Sequence, residues 1–179
     1  MRILFSSILA ISTLCSYAVM AEATIIKAHP SVSEEIIQQA QFHARQLGLA
    51  QNVYIAISFS QNIPSGFSGY TRYRNIESLN GGHQVRIVIS SDMSRHRQKR
   101  VLAHEMVHAK QFVEGKLVKC RDRHYSWSEG MCLDIKRISY YNRPWEKEAY
   151  KLGNRWYQAY KKRTAVPVNA LTARQTNTE

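Results

Sequence analysis

Alternating apolar and polar residues predict three β-strands in the first half of the chain. In VYIAISFS, residues 53–60, every second residue is apolar, as on one face of a half-buried strand. GYTRYR, residues 69–74, predicts a second and more polar strand, and QVRIVIS, residues 84–90, repeats the clean alternation. The stretches NIPSGFSG and SLNGG that separate these segments contain the Pro and Gly residues typical of loops and turns.

Apolar residues spaced three and four apart predict two helices beside these strands. Ser31 and Glu34 fit a capping box, S-x-x-E, at the start of the first helix. Ser91 or Asp92 is the expected cap of the second helix, which continues to about Glu114. The chain therefore predicts a mixture of helices and a small sheet within one domain.

A segment with two cysteines separates the second helix from a third. Residues 116–142 predict an irregular loop and hairpin, and Pro144 predicts the start of a helix that runs to residue 163. If the protein is exported, Cys120 and Cys132 are expected to form a disulfide, because an oxidising compartment favours it. Two free buried thiols, or zinc ligation by both, are the alternatives.

The first residues have the layout of a secretory signal peptide. Residues 1–21 contain an early Arg, a short apolar run and small residues at the end, so cleavage is expected after Ala21 or Ala23. An uncleaved N-terminal anchor is the alternative. The folded domain is then predicted over residues 22–163, and the polar residues 164–179 predict a disordered tail. These features predict an exported bacterial protein, either periplasmic or secreted.

The charge of the chain is strongly positive. Lys and Arg outnumber Asp and Glu by 25 to 13, which favours anionic partners such as an envelope surface. The basic residues are scattered rather than clustered with aromatic residues, so no specific nucleic-acid partner is expected. A solvated surface explains most of this charge, and a monomer is expected.

One stretch of the second helix carries candidate chemistry. AHEMVHAKQ, residues 103–111, places His104 and His108 four residues apart, so both imidazoles project from one helix face and can bind one metal ion. Glu105 lies beside the metal rather than facing it. Its carboxylate can therefore take a proton from a metal-activated water and deliver it to a leaving group.

A catalytic zinc ion takes three protein ligands and keeps one open position. The third ligand must come from another part of the chain, and any His, Asp or Glu outside the motif could supply it. The candidates are His29, His43, His83, His96, His124, Asp122, Glu129, Asp134, Glu146 and Glu148.

AHEMVHAKQ followed by YYNRPWEKEAY resembles the gluzincin group of zinc metallopeptidases, and the resemblance covers roughly residues 95–160. In that group a second helix supplies a glutamate within an E-x-x-A motif, which implies Glu146 as the third ligand of one Zn²⁺ per chain. Glu148 is the alternative ligand, or a residue that supports a ligand. Tyr150 stands where many members carry a supporting Asp. The implied fold is α+β and zincin-like, as a minimal gluzincin: a small antiparallel or mixed sheet, an active-site helix and a second ligand-bearing helix.

The resemblance also implies an activity. An exported zinc metallopeptidase would hydrolyse a peptide or protein substrate through a zinc-activated water, with Glu105 as general base. The edge strand before the active-site helix would align an extended substrate. A zinc amidase acting on cell-wall peptides and a non-catalytic secreted basic binding protein are the alternatives. Several side chains are candidate donors to the oxyanion or substrate: Tyr140, Tyr141, His124, Tyr125 and Tyr150.

Overall fold

The computed structural model describes residues 24–49, 52–76 and 82–165. The predicted signal peptide, residues 1–21, and residues 166–179 of the predicted tail lie outside these residues, whereas Thr164 and Ala165 of that tail belong to a helix. The described elements follow one another along the chain in this order: β1 Ile25–Ala28, α1 Glu34–Gln46, β2 Val53–Ser60, β3 Gly69–Ile76, β4 Gly82–Ser90, α2 Arg95–Val113, β5 Leu117–Arg121, β6 His124–Trp127, β7 Leu133–Asp134, a 3₁₀ turn at Tyr140–Asn142, and α3 Pro144–Ala165.

The first four strands form one mixed sheet in the order β1-β2-β4-β3. β1 and β4 both run parallel to β2, whereas β3 runs antiparallel to β4. The three strands predicted from alternation are confirmed, and β1 is a strand that the sequence pattern did not predict. No other described strand pairs with the outer edge of β3, so this edge remains open to an extended partner.

Helices α1 and α2 cover the apolar face of this sheet. The residues at alternate positions of β2 and β4 are almost completely buried, as the period of two requires, and Ile55 and Ile87 are 0% exposed. They pack in one apolar cluster with Ile36 of α1 and with Leu102 and Met106 of α2. Full burial of such a side chain contributes roughly 1.5–3 kcal/mol, so α2 is firmly fixed on the sheet.

Both predicted N-caps are wrong by a few residues. Helix α1 begins after Ser33, and Ser31 instead lies 2.9 Å from the His29 ring through its hydroxyl. Helix α2 begins after Ser94. The main chain at Ser91 still follows the sheet, because its N–H donates to the Ser60 carbonyl at 3.0 Å, and this bond delays the start of the helix.

The chain after α2 forms a second sheet. Strands β5, β6 and β7 pair antiparallel, so the predicted hairpin is confirmed and a short third strand extends it. The predicted disulfide is present between Cys120 of β5 and Cys132 before β7. Within the described ranges, no helix has the length and apolar character needed to cross a membrane.

Helix α3 packs directly against α2. Gly153 of α3 faces the main chain of α2, and a Cβ atom at this position would lie 3.0 Å from the Cα atom of His104. A larger side chain would therefore separate the two helices. This close approach places the first turn of α3 beside the HEMVH motif.

Candidate metal centre

Three side chains from α2 and α3 meet at one point. His104 Nε2 lies 3.0 Å from His108 Nε2 and 3.1 Å from Glu146 Oε2. The remaining pair, His108 Nε2 and Glu146 Oε2, is separated by 3.4 Å. These three residues form a group that could hold a metal ion.

The spacing of these atoms fits a small tetrahedral ion. Ligand atoms about 2.0–2.1 Å from a tetrahedral zinc lie ~3.3–3.4 Å from one another. The observed separations of 3.0, 3.1 and 3.4 Å fall close to this value. Two imidazole nitrogens and one carboxylate oxygen also form a donor set that zinc accepts readily.

Local structure explains why the ligands converge. His104 and His108 are one helical turn apart on α2, so their side chains share a face. Glu146 is the third residue of α3 and lies in its first turn. All three are largely buried, because the close crossing at Gly153 excludes solvent between the helices.

Gln111 orients His108. The His108 Nδ1–H donates to Gln111 Oε1 at 2.8 Å, so in the neutral ring the lone pair of Nε2 is directed at the cluster. The amide of Gln111 in turn donates to the Trp145 carbonyl at 3.0 Å and to Glu148 Oε2 at 2.9 Å. The other Glu148 oxygen accepts from Lys116. A buried chain of hydrogen bonds therefore fixes the ring of His108 from behind.

The structure gives Glu146 and Glu148 different environments. Glu146 contacts both histidines, whereas Glu148 contacts Gln111 and Lys116 and lies outside the ligand group. Of the two acids that the sequence left open as third ligand, Glu146 is the one placed with His104 and His108.

Glu105 is held on the strand side of the cluster. The hydroxyl of Thr71, in the edge strand β3, lies 2.7 Å from Glu105 Oε2 and donates to it. Glu105 is 4% exposed. Gly69 lies close by, since a Cβ atom there would be 3.4 Å from Glu105 Oε1 and would clash with Val101. Two residues of β3 therefore shape the surroundings of this carboxylate.

The ligands influence one another electrostatically. Burial lowers the pKa of His108, but its hydrogen bond with Glu146 and the charges of Glu105 and Glu146 outweigh burial and raise the pKa to about 9. Burial raises the pKa of Glu146, but hydrogen bonds with His104 and His108 outweigh it and hold the pKa far below its ordinary value. The Glu146 carboxylate is therefore ionised, as a metal ligand requires, whereas His108 would release a proton from Nε2 when a metal binds.

Tyrosines line the opening of the site. Tyr140 interacts with Glu146, and its pKa is raised by burial and by the Glu146 charge, so the hydroxyl remains a proton donor at neutral pH. The Tyr150 ring lies 4.6 Å from the His104 ring. His104 Nδ1 is buried without a hydrogen-bond partner among the described residues. Tyr150 therefore contacts His104 through ring packing. Tyr141 is 70% exposed at the rim.

The other candidate ligands and donors lie elsewhere. His43 is fully buried beside Gln39, with their side-chain nitrogens 2.9 Å apart, and burial lowers its pKa to about 3. His124 donates through Nδ1 to the Asp122 carbonyl and lies with Cys132 and Asp134 in the second sheet. Tyr125, by contrast, lines the cleft together with His108 and Glu146 and packs against Trp145. Further sequence candidates are not in the ligand group: His29, His83, His96, Asp122, Glu129, Asp134.

The cluster lies in a cleft with two lobes that share Phe67, Gly69, Glu105 and Tyr140. The arginine lobe, about 510 Å³, also contains Arg97 and Arg100. The tryptophan lobe, about 190 Å³, is also lined by Tyr70 and Thr71 of β3, His108 of α2, Tyr125 of β6, Arg143 just before α3, and Trp145 and Glu146 of α3. The cleft therefore extends to both sides of the metal ligands, along the open edge of β3.

Sequence reasoning did not assign roles to Gln111, Thr71 or Gly153. Gln111 lies three residues after His108, and this spacing shares a helix face, so the helical pattern held a signal for it. Thr71 and Gly153 meet α2 only through the tertiary fold. Comparison with known proteins adds nothing to these assignments, because no family model, no curated protein and no solved structure matches this chain.

Proposed function

We propose that the protein is an exported zinc-dependent metallopeptidase with a zincin-like arrangement of its two ligand-bearing helices. The observation that carries the proposal is the convergence of His104, His108 and Glu146 within 3.4 Å, with Glu105 held beside them. The disulfide between Cys120 and Cys132 is consistent with export.

The chain supplies what a hydrolytic zinc site needs. Bound zinc would lower the pKa of water toward neutrality and polarise a carbonyl group. Glu105 takes the proton of the attacking water and returns it to the leaving nitrogen. Thr71 fixes one carboxylate oxygen of Glu105, so the other remains available for this transfer. Tyr140, a protonated donor beside Glu146, stabilises the developing oxyanion.

The shape of the cleft supports an extended substrate. β3 offers the unpaired main-chain groups of an edge strand, and the two lobes continue on both sides of the ligands. A peptide can pair with such an edge and place one amide bond beside Glu105. The substrate class proposed is therefore a peptide or an unfolded protein segment.

The test combines metal content with cleavage of a quenched fluorescent peptide library. The parent is expected to bind one zinc ion and to lose activity with a chelator. His104→Ala and Glu146→Ala are expected to lose zinc, whereas Glu105→Gln keeps zinc and loses cleavage by at least about a hundredfold. Glu114→Gln, at the exposed acid that forms the C-cap of the same helix, is the matched control.

Three results would contradict the proposal. A parent that binds no zinc after incubation with it has no metal centre at the HEMVH motif. A zinc-loaded Glu105→Gln variant that cleaves as fast as the parent shows that Glu105 is not the base. Zinc binding without cleavage of any peptide favours a binding protein instead.

A further inference from the structure

We propose that the arginine lobe is a carboxylate-binding subsite, so that the preferred substrate is a peptide with an anionic group within about three residues of the scissile bond. This inference deepens the proposed function and rests on it. The carboxylate can belong to an Asp or Glu side chain, or to the C-terminus of the peptide. Both sources present the same planar anion to a guanidinium group.

The basic residues at the start of α2 divide into two faces. Arg95 and Lys99 point toward α1, where Arg95 donates to the Ser33 hydroxyl at 2.6 Å and Lys99 forms an ion pair with Glu35. Arg97 and Arg100 are exposed and line the cleft instead. The two faces have the same charge, but among the described residues only the face toward α1 has partners.

Arg97 and Arg100 have no carboxylate partner among residues 24–49, 52–76 and 82–165. Glu105 is the one acid among the described residues that line the arginine lobe, and its Oε2 already accepts from Thr71. Two guanidinium groups therefore face a concave surface without neutralisation by the protein. A ligand carboxylate would supply the missing charge and hydrogen-bond acceptors.

Helical geometry sets the distance from this charge to the reacting bond. Arg100 precedes His104 by four residues, and Arg97 precedes it by seven, so they lie ~6 and ~10 Å from it along the helix axis. An extended peptide advances about 3.3 Å per residue. A carboxylate that reaches either arginine therefore belongs to a substrate residue two or three positions from the scissile bond. A substrate residue one position away can also supply it, where its side chain folds back toward the arginines.

Matched peptides test the assignment. A cleavable neutral peptide is remade with Glu or Gln at each of three positions on either side of the cut, and with a free or amidated C-terminus. The parent is compared with Arg97→Gln/Arg100→Gln and with Arg45→Gln, which removes an exposed arginine of α1 outside the cleft. Zinc content is measured for every variant, so that loss of the metal centre is recognised.

The expected result is a kcat/KM ratio of about ten for Glu over Gln at one position or more, or for the free over the amidated C-terminus. The ratio is kept in Arg45→Gln and falls to about one in the double variant. The position that responds identifies a side chain or a C-terminus as the source. The subsite is overturned if the parent shows a kcat/KM ratio near one at every position and for both C-termini. It is also overturned if the double variant shows the same ratio as the parent.

Binding separates this inference from the proposed function. The same peptides are titrated by fluorescence anisotropy into zinc-loaded Glu105→Gln, with and without the two arginine substitutions. A Kd ratio of about ten that needs the arginines supports the subsite even where no peptide is cleaved. Equal affinities for the Glu and Gln peptides overturn it even where cleavage is observed.

Discussion

The clearest test of the metal centre is a residue that would not touch the ion. Gln111→Met keeps the length and burial of the side chain but removes its amide. The change deletes the acceptor of the His108 Nδ1–H and the donors to the Trp145 carbonyl and to Glu148. Glu148 keeps Lys116 as a partner, and the Trp145 carbonyl keeps its helical hydrogen bond within α3, so the His108 Nδ1–H is the buried group left unsatisfied.

The expected losses of stability and of zinc affinity follow from the hydrogen bonds that Gln111→Met removes. Leaving a buried polar group without a partner costs about 1–3 kcal/mol, so the free energy of unfolding should fall by about that amount. Zinc affinity should fall separately, because His108 is no longer held in one ring orientation and one tautomer. Loss of such a supporting partner lowers metal affinity about 10–100-fold.

The assay is competition for zinc against a chromophoric chelator at pH 7.5, with urea unfolding of the metal-free forms beside it. Gln38→Met, the same substitution at an exposed position of α1, is the control and should change neither quantity. Glu148→Gln keeps an acceptor for Gln111 and should weaken zinc binding less than tenfold. An unchanged zinc affinity in Gln111→Met would refute the assigned role of this amide.

Three further substitutions test the supports of the site and the core. Thr71→Val removes the hydroxyl that donates to Glu105, so kcat/KM should fall about tenfold while zinc affinity is kept; equal cleavage rates would contradict this role. Gly153→Ala places a Cβ atom 3.0 Å from the main chain of His104. The variant should be less stable than the parent, because overpacking costs about 1–3 kcal/mol and the gain in helix propensity is only roughly 1 kcal/mol. Urea unfolding and zinc titration measure the effect, and a more stable variant would show that the helix crossing has room for a side chain. His43→Leu removes a histidine whose pKa burial lowers from 6.5 to about 3. As pH falls below 6.5 the unfolded chain takes up a proton that the folded chain refuses, so the parent should lose ~2 kcal/mol more stability than the variant between pH 7 and pH 5. If urea unfolding shows that the parent and His43→Leu lose the same stability between pH 7 and pH 5, this prediction is wrong.

Local periodicity predicted the elements, but their ends depended on neighbours. β2 follows the period of two closely, because one of its faces is buried under helices, and β4 departs from that period at Val88, which is buried as well. The first turn of α2 was misplaced since Ser91 and Asp92 are good caps in isolation. The hydrogen bond of Ser91 to β2 extends the sheet and is invisible to local propensity. β1 was missed for a related reason, because its four residues gain their structure from pairing with β2.

At the candidate metal centre, too, local spacing predicts some features and tertiary packing decides the others. His104, Glu105 and His108 are readable from the sequence because one helix sets their relative positions. Their relation to Glu146 depends on how α2 and α3 cross. The sequence offered two acids two residues apart, Glu146 and Glu148, and a helix turns by about 200° over that interval, so the two face opposite directions. Only the packing of α3 decides which one meets the histidines.

That packing depends on a residue with no functional group. Gly153 lies seven residues after Glu146, two turns further along α3, so both face α2. Without a side chain at this position, α3 contacts the main chain at His104, and Glu146 reaches the histidines across the interface. The geometry of the three ligands is therefore a property of the helix crossing. Substitutions at Gly153 should change zinc affinity in proportion to the volume they add, with Gly153→Val worse than Gly153→Ala, although neither side chain touches the ion. Equal zinc affinities across such a series would show that the loop before α3, rather than the crossing, positions Glu146.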